Sequence, residues 1–271
     1  MTEIPTTGLD TSILLEAAAR LRAATSNGTP AAPVRDLIGR DDVEAAYAVQ
    51  RLNVEARLEG GAQVVGRKIG LTSLAVQEQL GVDQPDFGVL FDDMAFAGGD
   101  TIPAGLVLQP RAEAEIAFVL SDDLADGELD LAQVRDAIGY AVAAIEVCGS
   151  RVADWDISFG DTVADNASAG AYVLGPQRLS LTEFEPAAAA MTMHINGAQV
   201  SVGNGVACLG DPLNAVAWLA RTARDFGEPL LSGQVVLSGA LGPMRPVSPG
   251  DVVKATISGL GSVTFTMGEA S

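Results

Sequence analysis

Three glutamates stand inside apolar runs of this chain: Glu113 and Glu115 in Ala-Glu-Ala-Glu-Ile-Ala-Phe-Val-Leu, and Glu146 in Ala-Ala-Ile-Glu-Val-Cys. If both runs are strands, side chains alternate between faces, so Glu113 and Glu115 project the same way and Glu146 joins them from a neighbouring strand. A Glu-x-Glu pair on a strand is commonly the wet face of a sheet. Here the apolar neighbours on both sides point instead to burial, and buried carboxylates must be compensated. No basic partner is evident for the three, so the expected compensation is a divalent cation bound through oxygen, Mg²⁺ or Mn²⁺ ahead of Zn²⁺.

Charge narrows the ligands. With 35 acidic against 16 basic residues in 271, the formal net charge is −19. Nucleic acid and anionic membrane are therefore not expected as partners, because phosphate binding needs clustered Lys and Arg. The same charge also serves solubility. An anionic substrate would need local compensation from a metal, a lysine or backbone N–H groups. The opening residues carry neither a basic stretch nor an apolar one, and no apolar run is long enough to span a bilayer, so a cytoplasmic protein is expected. Cys148 and Cys208 lack any metal-ligand spacing and read as reduced thiols. Cys148 shares the face of Glu146 and reads as a small core residue. The single histidine, His194, sits in a strand pattern and reads as structural, which leaves a Ser-His-Asp or Cys-His device without support. Neither a dinucleotide fingerprint nor a Walker loop is present.

The pattern divides the chain into a helical region over 1–60 and a β-rich, metal-binding core over 61–271, together one catalytic unit. Helices are expected from Asp10 or Thr11 to Arg22 and over 43–58, the second stopped by Gly60-Gly61. Strands are expected at 63–65, 88–91, 113–120, 143–147, 171–174, 191–195, 199–202, 234–237, 252–257 and 262–266, with Asn196-Gly197 as a hairpin turn. A late helix is capped by Asp211, begins with Pro212 and ends at Gly227. This is an α+β chain with a mixed β core.

Four further segments carry polar groups beside glycines. Val65-Gly-Arg-Lys-Ile-Gly-Leu-Thr-Ser presents Lys68, by default a surface lysine, where backbone can approach a ligand closely. Gly81-Val-Asp-Gln-Pro-Asp-Phe-Gly reads as an ordered loop in which Asp83 and Asp86 either cap the turn or supply a base. Asp161-Thr-Val-Ala-Asp-Asn-Ala-Ser-Ala-Gly reads as a polar loop able to receive an anion or simply to connect, and Ser238-Gly-Ala-Leu-Gly-Pro, following a strand, either turns a hydroxyl and backbone donors toward a substrate or only makes a turn.

Taken together, Gly66-Arg-Lys-Ile-Gly-Leu-Thr-Ser, Gly81-Val-Asp-Gln-Pro-Asp-Phe-Gly-Val-Leu-Phe, Gln109-Pro-Arg-Ala-Glu-Ala-Glu-Ile-Ala and Asp161-Thr-Val-Ala-Asp-Asn-Ala-Ser resemble the 2-hydroxypenta-2,4-dienoate (2-keto-4-pentenoate) hydratases of the fumarylacetoacetate hydrolase superfamily. The resemblance runs from about 36 to 266 and extends to the related 4-oxalocrotonate decarboxylases. It implies a mixed β-sheet roll with flanking helices, a homo-oligomer, and a divalent metal held by Glu113, Glu115 and Glu146. It also implies acid–base roles for Lys68 and Asp86, and places Thr72 and Ser168 near the substrate carboxylate. Ser238 falls where superfamily members often have threonine. The implied substrate is a small 2-hydroxy dienoate or 2-oxo enoate from aromatic or steroid ring cleavage, with an aldolase downstream. Hydrolases of the superfamily use a His/Glu pair to activate water, which this chain, with His194 alone, does not match.

Overall fold

Helix boundaries follow capping chemistry. In the computed structural model, which describes residue 8, residues 10–73, residue 77 and residues 82–270, Asp10 accepts from Ser12 N and opens α1 (Thr11–Asn27). This helix passes the expected end at Arg22, because nothing breaks it before Gly28, whose φ of 64° closes it. A short α2 (Arg35–Ile38) follows, then α3 (Val43–Glu59), capped by Asp42 and ended at Gly60 as its pattern predicts. Besides α2, two further helices among the described residues escape the sequence pattern: α4 (Leu131–Ala137), capped by Asp130, and α5 (Phe159–Ala164), capped by Ser158. Both are too short to display a helical period. The late helix α6 (Pro212–Asp225) is capped by Asp211.

The strands are β1 (Val64–Gly70), β2 (Asp86–Phe91), β3 (Ala95–Ala97), β4 (Thr101–Ile102), β5 (Arg111–Leu120), β6 (Ile138–Cys148), β7 (Ala171–Leu174), β8 (Ala190–Ile195), β9 (Ala198–Asn204), β10 (Val235–Ala240), β11 (Arg245–Pro246), β12 (Val252–Ile257) and β13 (Gly261–Met267). Among the described residues they form two mixed sheets. An eight-stranded sheet runs β2-β1-β10-β5-β6-β7-β3, with β11 also paired to β5; a five-stranded sheet runs β4-β13-β12-β8-β9. The β1–β10, β3–β7 and β4–β13 pairs are parallel. This is the expected α+β architecture of mixed sheets with flanking helices. Asn196 (φ 52°) and Gly197 (φ 81°) make the tight turn between β8 and β9.

Three expected boundaries move in ways that matter. Strand β1 extends through Lys68 to Gly70, Asp86 is the first residue of β2 and not part of a loop, and Ser238 lies within β10 and not in a turn after it. Each extension is held by pairing with a strand remote in sequence, which local propensity does not contain. Gly81, the first residue of the expected loop around Pro85, lies outside the described residues.

Alternation along β5 divides the core. Ala114, Ile116 and Phe118 enter the larger apolar cluster with Ile145, Val147, Phe265 and the buried stripe of α6, whereas Ala117 joins a smaller one with Val54, Leu90, Val142, Ala144, Tyr172 and Leu237. The N-terminal helices are tied to this core by two buried polar side chains. Gln50 Nε2 donates to Phe87 O at 3.0 Å and Val163 O at 2.9 Å, joining α3 to both β2 and α5. The Asp161 carboxylate, 0% exposed, accepts from Val34 N, Arg35 N, Ser158 N, Ser158 Oγ and Arg35 Nη1 at 2.8–3.0 Å. The segment expected to be a polar loop from Asp161 is thus a capped helix whose first acid faces inward.

Replacing Asp161 with alanine leaves several buried donors unpaired at once. Asp161→Ala is expected to cost about 3–5 kcal/mol in urea unfolding; a loss below about 1 kcal/mol would show that these bonds do not anchor the N-terminal helices.

Candidate active site

Strands β5 and β6 are paired with Glu113 directly opposite Glu146 and Glu115 opposite Ala144. The three carboxylates therefore share one face, next to the dry patch of Ala117, Val142, Ala144 and Leu237. Glu115 is 0% and Glu146 1% exposed. Glu115 Oε2 accepts from Gly239 N at 2.8 Å, while Glu115 Oε1 and both Glu146 oxygens have no aligned hydrogen-bond donor. Gly239 is required where it stands. Its φ is +106°, and a Cβ there would fall 2.4 Å from Thr72 Oγ1.

A basic partner is present, contrary to the expectation of three unpartnered acids. Lys68 is buried, not on the surface, and reaches across from β1 to place Nζ 3.2 Å from Glu146 Oε1. Its alignment with that oxygen is poor; the ammonium donates instead to Ala167 O at 2.9 Å. Asp86 lies opposite Gly70 on β1, close to Lys68. A Cβ on Gly70 would lie 2.1 Å from Asp86 Oδ1 and 3.5 Å from Lys68 Nζ, so the missing side chain is the space these two groups occupy. Asp86 Oδ1 is another buried oxygen without a donor.

The carbonyl that receives Lys68 is aimed by an unusual turn. Asn166, Ala167 and Ser168 are consecutive residues at positive φ, 55°, 49° and 55°, a conformation costing about 1–2 kcal/mol per non-glycine residue. Asn166 offsets that cost by clamping β2: its Oδ1 accepts from Val89 N at 2.8 Å and its Nδ2 donates to Val89 O at 2.9 Å. The hydroxyls of Ser168 and Thr162 lie 3.2 Å apart. Sequence reading missed Asn166 and Ala167; an Asp-Asn pair ahead of small residues was the available signal, since Asn tolerates the left-handed region. Thr72 and Ser238 are both buried, the first packed against Gly239, the second with its Oγ unpartnered. All eight residues singled out from sequence thus fall on β1, β2, β5, β6, β10 and the segments that follow β1 and α5. His194 is elsewhere, opposite Lys254 in the five-stranded sheet.

Burial dominates the electrostatics. It pushes Asp86 up to about 6 and Glu146 up to about 7, with Lys68 opposing both shifts. Burial, then repulsion from Glu146 and Glu113, raises Glu115 well above the usual carboxylate range. Burial also works against the Lys68 ammonium, yet Glu146 foremost, with Glu113 and Asp86, holds it well above an ordinary lysine. Four carboxylates around one ammonium, several with orphaned oxygens, form a hard-oxygen donor set that matches a divalent cation. Cys148 Sγ adds a neighbour, donating to Glu113 Oε1 at 3.3 Å.

Residues 62–267 match the family described as Fumarylacetoacetate (FAA) hydrolase C-terminal. The chain is 54% identical over 260 residues to the TodF product hydratase of Pseudomonas putida, covering 96% of this chain and 97% of the relative. It is 52% identical over 248 residues to the 2-keto-4-pentenoate hydratase of Paraburkholderia xenovorans, covering 92% of each. The solved 4-oxalocrotonate decarboxylase of Pseudomonas putida, complexed with magnesium and adipate, superposes with a TM-score of 0.90 at 32% identity, covering 96% of this chain and 98% of that one. The chain belongs to the fumarylacetoacetate hydrolase family, among the 2-keto-4-pentenoate hydratases.

The raised carboxyls set a pH signature. A group whose folded value lies above its ordinary one, as for Asp86 (3.8 to about 6) and Glu146 (4.5 to about 7), contributes stability that is present below the ordinary value and lost as pH rises through the folded one. Chelator-treated protein is expected to lose melting temperature between about pH 4.5 and pH 7 more steeply than Glu146→Gln does. Parallel slopes in the two proteins would remove Glu146 as the titrating group.

Proposed function

We propose that this chain, acting as one catalytic unit, is a divalent-metal-dependent hydro-lyase that converts 2-hydroxypenta-2,4-dienoate to 4-hydroxy-2-oxopentanoate in the meta-cleavage breakdown of aromatic or steroid rings. The observation that carries this reading is identity of 54% and 52% to hydratases over more than nine-tenths of the chain. Glu113, Glu115 and Glu146 hold the ion, Mg²⁺ or Mn²⁺; the buried, under-satisfied oxygens of Glu115 and Glu146, with half-buried Glu113 directly opposite Glu146, support that role. Bound there, the ion supplies Lewis acidity toward the substrate's carboxylate and 2-oxygen.

The remaining chemistry is proton movement. A proton delivered to C5 converts the dienol to the 2-oxo-3-enoate; water then adds at C4, and a second proton at C3 completes the hydration. Negative charge develops on the 2-oxygen in both stages. Lys68, fixed by Ala167 O and kept cationic by its acidic neighbours, is placed to stabilise that charge or protonate the enol. Asp86, with an unpartnered oxygen and a value near 6, suits a group that takes a proton from water and returns it. The hydroxyls of Thr72 and Ser168 bind near the substrate carboxylate, and Ser238 is a further substrate-binding hydroxyl. The protein works as a homo-oligomer in the cytoplasm, its aldol product passing to an aldolase; among the described residues no helix is long and apolar enough to cross a membrane.

The solved decarboxylase gives a second reading a specific basis, loss of CO₂ from a 2-oxo-3-enedioate by the same electron sink. Incubation with each substrate and Mg²⁺ or Mn²⁺ separates the readings. A product one water heavier than the dienoate is expected; CO₂ released only from the diacid would move the chain to decarboxylation, and silence with both would leave a non-catalytic binding subunit. Glu113→Gln is expected to lower turnover by at least ~10²-fold with the fold intact by circular dichroism, and Asp86→Asn by about 10²–10⁴-fold. Full activity in Glu113→Gln would remove its assignment as a metal ligand.

A further inference from the structure

Cys148 closes β6 two residues beyond Glu146, so the period of the strand puts its thiol on the carboxylate face. One ligand atom from each of Glu113, Glu146 and Cys148 lies within 4.8 Å of the other two, and the Cys148 Sγ to Glu113 Oε1 separation is 3.3 Å. Zinc bonds of about 2.3 Å to sulfur and about 2.0–2.2 Å to oxygen place tetrahedral donors about 3.4–3.6 Å apart. The sulfur and oxygen therefore already stand near ligand spacing. Independently, Glu146 is 1% exposed and offers two oxygens without aligned donors to the same space.

We propose that Cys148 is a fourth donor at this site and makes it a trap for thiophilic divalent ions such as Zn²⁺ and Cd²⁺. The proposal rests on the carboxylate metal site described above and adds to it a sulfur that hard ions do not use. Mg²⁺ and Mn²⁺ are satisfied by carboxylate oxygens, whereas softer ions gain from thiolate. As the metal–sulfur bond forms, the thiol proton leaves to solvent, and no change of oxidation state is involved. A soft ion held by sulfur as well as oxygen fills a position that a catalytic ion leaves open for substrate, so it competes with Mg²⁺ and inhibits hydration.

The test is titration of chelator-stripped protein with Cd²⁺, read by the ultraviolet thiolate-to-cadmium charge-transfer band and by equilibrium dialysis, beside Mn²⁺ dialysis. Wild type and Cys208→Ser are expected to show the band. Cys148→Ser and Cys148→Val are expected to lose it and to bind Cd²⁺ at least about tenfold more weakly, with Mn²⁺ affinity changed by less than about threefold. Mn²⁺ binding without a cadmium band in wild type, or a band that survives both Cys148 variants, overturns the proposal. A Cys148-dependent band in a protein that binds no Mn²⁺ upholds the sulfur donor while sinking the hard-ion reading.

Discussion

Buried Asp86, Glu115 and Glu146, with half-buried Glu113, gather around the ammonium of Lys68, and much of the eight-stranded sheet is arranged so that this can happen largely away from water. Desolvation of one charged group costs several kcal/mol, so the cluster is tolerable only where each charge meets an opposite charge, a backbone donor or a bound ion. Backbone supplies part of this: Gly239 N–H reaches Glu115, and Ala167 C=O reaches Lys68. Both contacts depend on residues in the left-handed region of φ, one permitted by a missing side chain and the other held by the Asn166 clamp. Local backbone strain is thus exchanged for electrostatic order in the site.

The same arrangement resolves the difficulty posed by an anionic substrate and a protein with a net charge of −19. Exposed acids are screened over about 8–10 Å in physiological salt. What the substrate meets on entering is decided by the buried groups. Lys68 alone does not balance four carboxylates, and burial holds several of them toward the neutral form, so a divalent ion is the partner that would let the set ionise.

Local periodicity was enough to read the positions of Glu113, Glu115, Glu146 and Cys148 relative to one another, because a strand pair carries that information in its alternation and register. Lys68 was legible as a candidate but not as the partner of Glu146, since their contact spans strands that are distant in sequence and separated by β10 and β5 in the sheet. The loop expected around Asp86 and the turn expected at Ser238 became strand for the same reason: pairing with remote segments outweighed proline and glycine signals. The triple left-handed turn was legible only at its first residue, since Asn tolerates that conformation while no local rule assigns it to Ala167 or Ser168. It exists because β2 offers Asn166 a backbone donor and acceptor at Val89.

Gln50 lies before the segment that matches the family, yet its one amide nitrogen is bonded to the carbonyls of Phe87 and Val163. The first of these residues follows Asp86; the second precedes the turn that steers Lys68. A single side chain on an outlying helix thereby acts as a gauge block between the strand that carries Asp86 and the helix that leads into the turn bonded to Lys68. The separation of those two elements is thus set from outside the matched segment, through one amide.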